Sequence, residues 1–95
     1  FDIMAANCFL FVHFLSSALN TRTEQYGGSI ANRQRFLLET IDAIAAEIGG
    51  SKIGVRFSPF GRLYDFGVYE GEEETWMSMA AALNERELAF VHLNY

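Results

Sequence analysis

The apolar residues of this chain switch between a helical spacing and a strand spacing, and that switch fixes which fold classes are open to it. From Ile30 to Ile48, Leu37, Ile41, Ile44 and Ile48 recur on one helical face, with Phe36, Leu38 and Ala45 widening the stripe. Gly49-Gly50 stops this helix, because glycine accepts the positive φ at which helices commonly end. From Lys52 to Ser58 the period becomes two: Ile53, Val55 and Phe57 share one face, and Gly54, Arg56 and Ser58 share the other. A second helix follows, with Glu72, Glu73 and Glu74 at the positive end of its dipole and an apolar stripe of Trp76, Met79, Ala80 and Leu83. Leu88 to Asn94 alternates again and predicts another strand, and Phe1 to Met4 predicts the stub of an earlier one. A short helix from about Ala5 to Leu15 and a helix start capped by Ser29 complete the pattern. Strands alternating with helices predict parallel βαβ units in an α/β fold.

Such a sheet expects helices on one face and packed side chains on the other. With 95 residues and about three strands, the chain forms one domain, residues 1–95, and leaves one sheet face without a cover. Its apolar share of 51% argues against disorder, so the uncovered face predicts self-association, a homo-oligomer being the simplest form. Seven basic against twelve acidic residues, net charge −5, give no electrostatic footprint for nucleic acid. Cys8 is the single cysteine, so no internal disulfide and no cysteine-based metal site is expected, which fits a reducing cytoplasm. The apolar run Phe9 to Leu15 is too short to span a bilayer and lacks the basic flank of a signal peptide. It reads as a buried helix or a contact between copies.

Ligand-contacting residues of parallel α/β sheets gather at the C-terminal ends of the strands. If the more apolar face of each strand meets the helices, Arg56 and Ser58 point to the opposite face, as do His92 and Asn94. Arg56 is the best candidate, since a permanent charge on an inner face calls for an anionic or acceptor partner. The alternative is an arginine paired with one of the many carboxylates or solvated on an open sheet.

The polar run Asn20-Thr21-Arg22-Thr23-Glu24-Gln25-Tyr26-Gly27-Gly28-Ser29, continuing into Asn32-Arg33-Gln34-Arg35-Phe36, and the strand Ile53-Gly54-Val55-Arg56-Phe57-Ser58-Pro59 resemble the Old Yellow Enzyme family of FMN-dependent ene-reductases. The resemblance spans nearly the whole chain. It implies a (β/α)8 TIM barrel, of which this sequence is a partial barrel, since a closed one takes roughly 250 residues. In this family the strand before the first helix ends in His-x-x-Asn or His-x-x-His followed by Gly-Tyr-Leu, where the present chain reads Met4-Ala5-Ala6-Asn7-Cys8-Phe9-Leu10.

On that match Asn7 keeps one of the two side chains that hydrogen-bond the substrate oxygen, and Met4 stands in place of the histidine. Phe9 stands in place of the tyrosine that protonates substrate, and it has no exchangeable proton. Cys8 replaces a glycine. Arg56 matches the arginine that contacts the flavin. A different alignment, matching Phe1-Asp2 to the start of the strand, leaves Met4 unmatched. Other departures are Glu24 for aspartate, Ala31 for a glutamate at the helix start, and Phe66-Gly67-Val68 after the second strand.

The signature run lacks a nucleophile with a base, so it reads as structure: Arg22, Glu24, Tyr26, Asn32 and Arg33 are expected to knit the loop onto the helix start. The phosphate of FMN is expected to be gripped by later strands of a barrel. Three functional readings are open, the first two from the resemblance and the third from the apolar surface that Phe9, Phe11, Phe14 and Leu15 would offer. The chain is a truncated or engineered piece of an ene-reductase without a complete catalytic or flavin site; or several copies assemble a composite barrel that binds FMN, NAD(P)H and an activated alkene; or the chain is a self-association module. No metal, nucleic acid or membrane partner is expected.

Overall fold

The computed structural model describes residues 1–6, 10–58 and 71–93. Along the chain run β1 (Asp2–Ala5), α1 (Leu10–Leu15), α2 (Ile30–Ile48), a 3-10 turn (Gly50–Lys52), β2 (Gly54–Phe57), α3 (Glu72–Asn84) and β3 (Phe90–Leu93). The strands form one parallel sheet in the order β1-β2-β3. Its register sets Ile3, Val55 and Val91 in one row across the sheet and Met4, Arg56 and His92 in the next, with β2 pairing both edges. This is the expected α/β arrangement of parallel βαβ units.

Strand parity divides the sheet. Ile3, Ala5, Val55 and Phe57 are buried against the helices with Leu15, Leu37, Ile41, Trp76, Met79 and Leu83. The stripe on α2 is Leu37 and Ile41 at full burial, flanked by the half-buried Leu38, Ile44, Ala45 and Ile48. Phe57 of β2 stacks on Trp76 of α3 with ring centroids 5.4 Å apart and planes 5° from parallel. Such a contact adds about 1 kcal/mol to the area it buries.

Ser29 caps α2 as expected, its hydroxyl accepting from the Asn32 amide at 3.2 Å, so alanine at position 31 leaves the cap intact. Gly49 ends the helix at φ 88°, ψ 139°, a positive φ outside the left-handed helical well. The amide of Gly49 bonds Ala45 O at 2.8 Å.

Three expectations need correction. Ala5 belongs to β1 rather than to a helix, because it pairs with Phe57 in the ladder and its methyl is fully buried; α1 is described from Leu10. Lys52 lies in the 3-10 turn, so β2 is shorter than the alternating pattern. Ala80 is exposed, and the buried stripe of α3 instead runs through Glu72, Thr75, Trp76, Met79 and Leu83. Thr75 fits there because its hydroxyl donates to Gly71 O at 2.7 Å.

Candidate functional site

The face of the sheet turned away from the helices carries Met4, Arg56 and His92 side by side, one from each strand at the same register level. Their order follows from the period-two parity of the strands. All three lie in the C-terminal halves of their strands, where parallel sheets present ligand-binding groups. Below them, Phe90 of β3 lies over Gly54 of β2: a methyl group at residue 54 would overlap the Phe90 ring. Glycine is what lets the ring cover the strand there. An isolated glycine inside a strand signals such a close approach, which is how this contact could have been found from sequence.

Arg56 is half-buried, and its Nε–H is buried with no acceptor among the described residues. A buried, unpaired guanidinium N–H costs roughly 1–3 kcal/mol or more, so its acceptor is expected from outside this set. The ring nitrogen and carbonyl acceptors of a flavin fit that donor, and its fixed charge suits the negative charge a flavin gains on reduction. Ser58, next on the same side, is buried and engaged. His92 is exposed. Asn7, Cys8, Phe9, Pro59, Asn94 and the Phe66-Gly67-Val68 stretch lie outside the described residues. No group of three or more potential metal ligands occurs among the described residues, and no helix there is long and apolar enough to cross a membrane.

The signature loop sits between α1 and α2. Asn20 donates to Phe14 O at 2.8 Å and Tyr26 O at 2.7 Å, and its Oδ1 accepts from the Arg22 amide at 3.0 Å. The Arg22 guanidinium lies 4.3 Å from the centre of the Phe14 ring. Asn32 donates to Gly27 O at 3.0 Å, and Arg35 joins Gln25 O and Asn32 Oδ1, each at 2.8 Å. Gly27 is required because a side chain there would collide with the Arg22 carbonyl. The Tyr26 hydroxyl donates to Glu39 at 2.6 Å, and this bond, before burial and the Glu39 charge, holds its pKa above the usual 10.0. Tyr26 is thus directed at α2 and away from the Arg56 row.

Arg33 is the residue whose reach exceeds its sequence neighbourhood. It is 4% exposed, and its guanidinium donates to Leu15 O at the end of α1, to Gly28 O at 3.3 Å and to Thr75 Oγ1 of α3 at 3.1 Å. It therefore joins the segment after β1 to the start of α3, the two connections that leave the C-terminal ends of β1 and β2. The sequence placed Arg33 in a local network; its bond to Thr75, 42 residues away, had no local signal.

Parallel strands linked by helices packed on one face are the α/β arrangement from which a segment of a βα barrel is built. The chain belongs to the NADH:flavin oxidoreductase / NADH oxidase family, whose description matches residues 1–95. It is 36% identical over 92 residues to 12-oxophytodienoate reductase 2 of Arabidopsis thaliana, covering 97% of this chain and 24% of that one. It is 31% identical over 93 residues to the aldehyde reductase FrzD of Cladobotryum, covering 98% of this chain and 25% of that one. Among solved structures it superposes on morphinone reductase with a TM-score of 0.91 at 42% identity, covering 98% of this chain and 25% of that one. An Old Yellow Enzyme homologue from Zymomonas mobilis gives 0.90 at 32% identity, with 97% and 26% covered. The chain thus spans about a quarter of the length of the relatives it matches.

Proposed function

We propose that this chain is one part of an FMN-dependent NAD(P)H ene-reductase barrel, that Arg56 supplies a flavin contact, and that the chain alone holds no complete catalytic or flavin site. The observation that carries the reading is the buried Arg56 Nε–H without an acceptor among the described residues, on the face of the sheet that a closed barrel encloses. A flavin held there supplies hydride transfer between a nicotinamide and an activated alkene. Arg56 donates to the flavin ring and balances its charge; Asn7 donates to the substrate oxygen. Phe9 brings no proton, so protonation of substrate carbon depends on water or on a group from elsewhere in the barrel.

The test is reconstitution. The chain is coexpressed with the remaining segments of the morphinone reductase barrel, and FMN retained after desalting is read from visible absorption. Retention is expected with Arg56 and loss with Arg56→Ala. Equal retention by both would refute the Arg56 assignment.

A second reading is favoured by the open sheet edges of β1 and β3. Parallel pairing of β3 with β1 of the next copy would build a composite barrel, a homo-oligomer able to bind FMN, NAD(P)H and an activated alkene. Sedimentation equilibrium separates the two readings, because the composite barrel requires a closed multimer whose mass tracks FMN content.

A further inference from the structure

Arg33 lies on the helix side of the sheet, away from the Arg56 row, yet its bonds lead back to the strand that carries Arg56. One guanidinium nitrogen donates both to Leu15 O at the end of α1 and to Thr75 Oγ1 in the first turn of α3, the latter at 3.1 Å. Thr75 is fully buried and extends the contact, its hydroxyl donating to Gly71 O at 2.7 Å. The start of α3 depends on this hold. Its cap residue, Gly71, is left-handed at φ 76° and supplies no side-chain bond to the helix. A Cβ at Gly71 would sit 3.8 Å from the Arg33 guanidinium. The first turn of α3 is therefore registered by Thr75 and Arg33 rather than by a capping side chain.

The residue after Thr75 carries the contact to the sheet. Trp76 stacks on Phe57 with centroids 5.4 Å apart and planes 5° from parallel, and both rings are buried. A close-packed interior transmits displacement instead of absorbing it. Phe57 follows Arg56 in β2, and consecutive strand residues point to opposite faces. A shift of α3 thus moves Trp76, then Phe57, and re-aims Arg56 on the other side of the strand. Because α1 is bound by the same guanidinium, the elements that follow β1 and β2 are fixed relative to each other.

We infer that Arg33 is a positioning residue for the flavin contact at Arg56, acting through Thr75 and the Trp76–Phe57 stack. It touches no ligand itself. The planar fork of a guanidinium can bond acceptors on several segments at fixed angles, which an ammonium cannot reproduce. This rests on the proposed flavin role of Arg56 and adds the residue that aims it.

Two readouts separate aiming from bulk stability. The first uses the full chain alone, in which Trp76 is the only tryptophan. Native-state emission and acrylamide quenching are compared for the parent, Arg33→Lys, Thr75→Val and Ile48→Ala. Thr75→Val keeps the branched shape and removes only the hydroxyl, so it carries the test if Arg33→Lys fails to fold. Each of these two variants should raise Trp76 quenching, and the double variant should exceed neither, as members of one network do. Ile48 is half-buried at the far end of α2; its change to alanine should lower stability and leave Trp76 as in the parent.

The second readout is the FMN dissociation constant of the barrel reconstituted with the remaining segments of morphinone reductase. Thr75→Val should weaken FMN binding about tenfold when Arg56 is present and change nothing in the Arg56→Ala background. Unchanged Trp76 quenching in both variants, or the same loss of FMN affinity with and without Arg56, would overturn the proposal. A parent barrel that takes up no FMN, or takes it up equally with Arg56→Ala, would overturn the proposed role of Arg56 and the aiming of it together. Trp76 in the chain alone distinguishes the two failures, since it reads the path from Arg33 to Phe57 without flavin.

Discussion

Arg33 is as buried as the apolar core, and three acceptors on three different segments surround its guanidinium. Arg56 is also partly buried, but its Nε–H has no acceptor among the described residues. Substitution should separate these two arginines. Arg33→Met strands Leu15 O and Thr75 Oγ1 and should cost about 3 kcal/mol in urea denaturation, since hydrogen bonds to charged groups contribute about 1.5–3 kcal/mol each. Arg33→Lys should recover little of this, because an ammonium cannot reproduce the planar fork. Arg56→Met removes an unpaired buried donor and should leave stability within about 0.5 kcal/mol of the parent chain or raise it. An equal loss from both would mean that Arg56 is structural.

A third polar contact responds to pH. Arg86 grips Asp42 through two bonds of 2.8 and 3.0 Å, and these, more than the bare charge, hold the Asp42 carboxyl below its ordinary 3.8. A depressed carboxyl pKa contributes stability above its unfolded value and loses it as pH falls through its folded value. The contribution is small because the Asp42 side chain is 57% exposed. Unfolding midpoints of the parent and Asp42→Asn should differ at pH 7 and converge below the usual carboxylate range. A constant gap down to that range would exclude the linkage.

Among the elements, α2 was legible to the residue, because nineteen residues of one period bounded by a serine cap and a glycine pair leave little choice. The alternation in β2 and β3 fixed which side chains share a face, and the register placed Arg56 beside His92 as parity requires. The stripe on α3 was read less well. A pattern of apolar residues selects Ala80, whereas the buried position belongs to Thr75, whose hydroxyl is satisfied by Gly71 four residues earlier and by Arg33, a partner outside any local window. Leu37, 1% exposed in α2, should cost about 2–5 kcal/mol when changed to alanine. Gly54→Ala should cost about 1–3 kcal/mol by driving a methyl into the Phe90 ring. In a double-mutant cycle Phe90→Ala should relieve most of that cost, and additivity would show that the ring is not what Gly54 accommodates.

For the whole molecule, the parallel sheet and its bare face could be anticipated from element alternation and chain length. The family could be anticipated from the signature loop, whose hydrogen bonds, with those of Arg33 just after it, hold α1, α2 and α3 together. The site was legible only in part. Parity and strand ends single out Arg56 from the sequence, but what its buried N–H binds depends on surfaces that local spacing does not encode. The account predicts a barrel segment that carries one flavin contact without holding flavin by itself. Its most direct test is the visible absorption spectrum of the purified chain after incubation with FMN and desalting. A colourless protein is expected; a yellow protein retaining FMN stoichiometrically and oxidising NAD(P)H in the presence of an enone would contradict it.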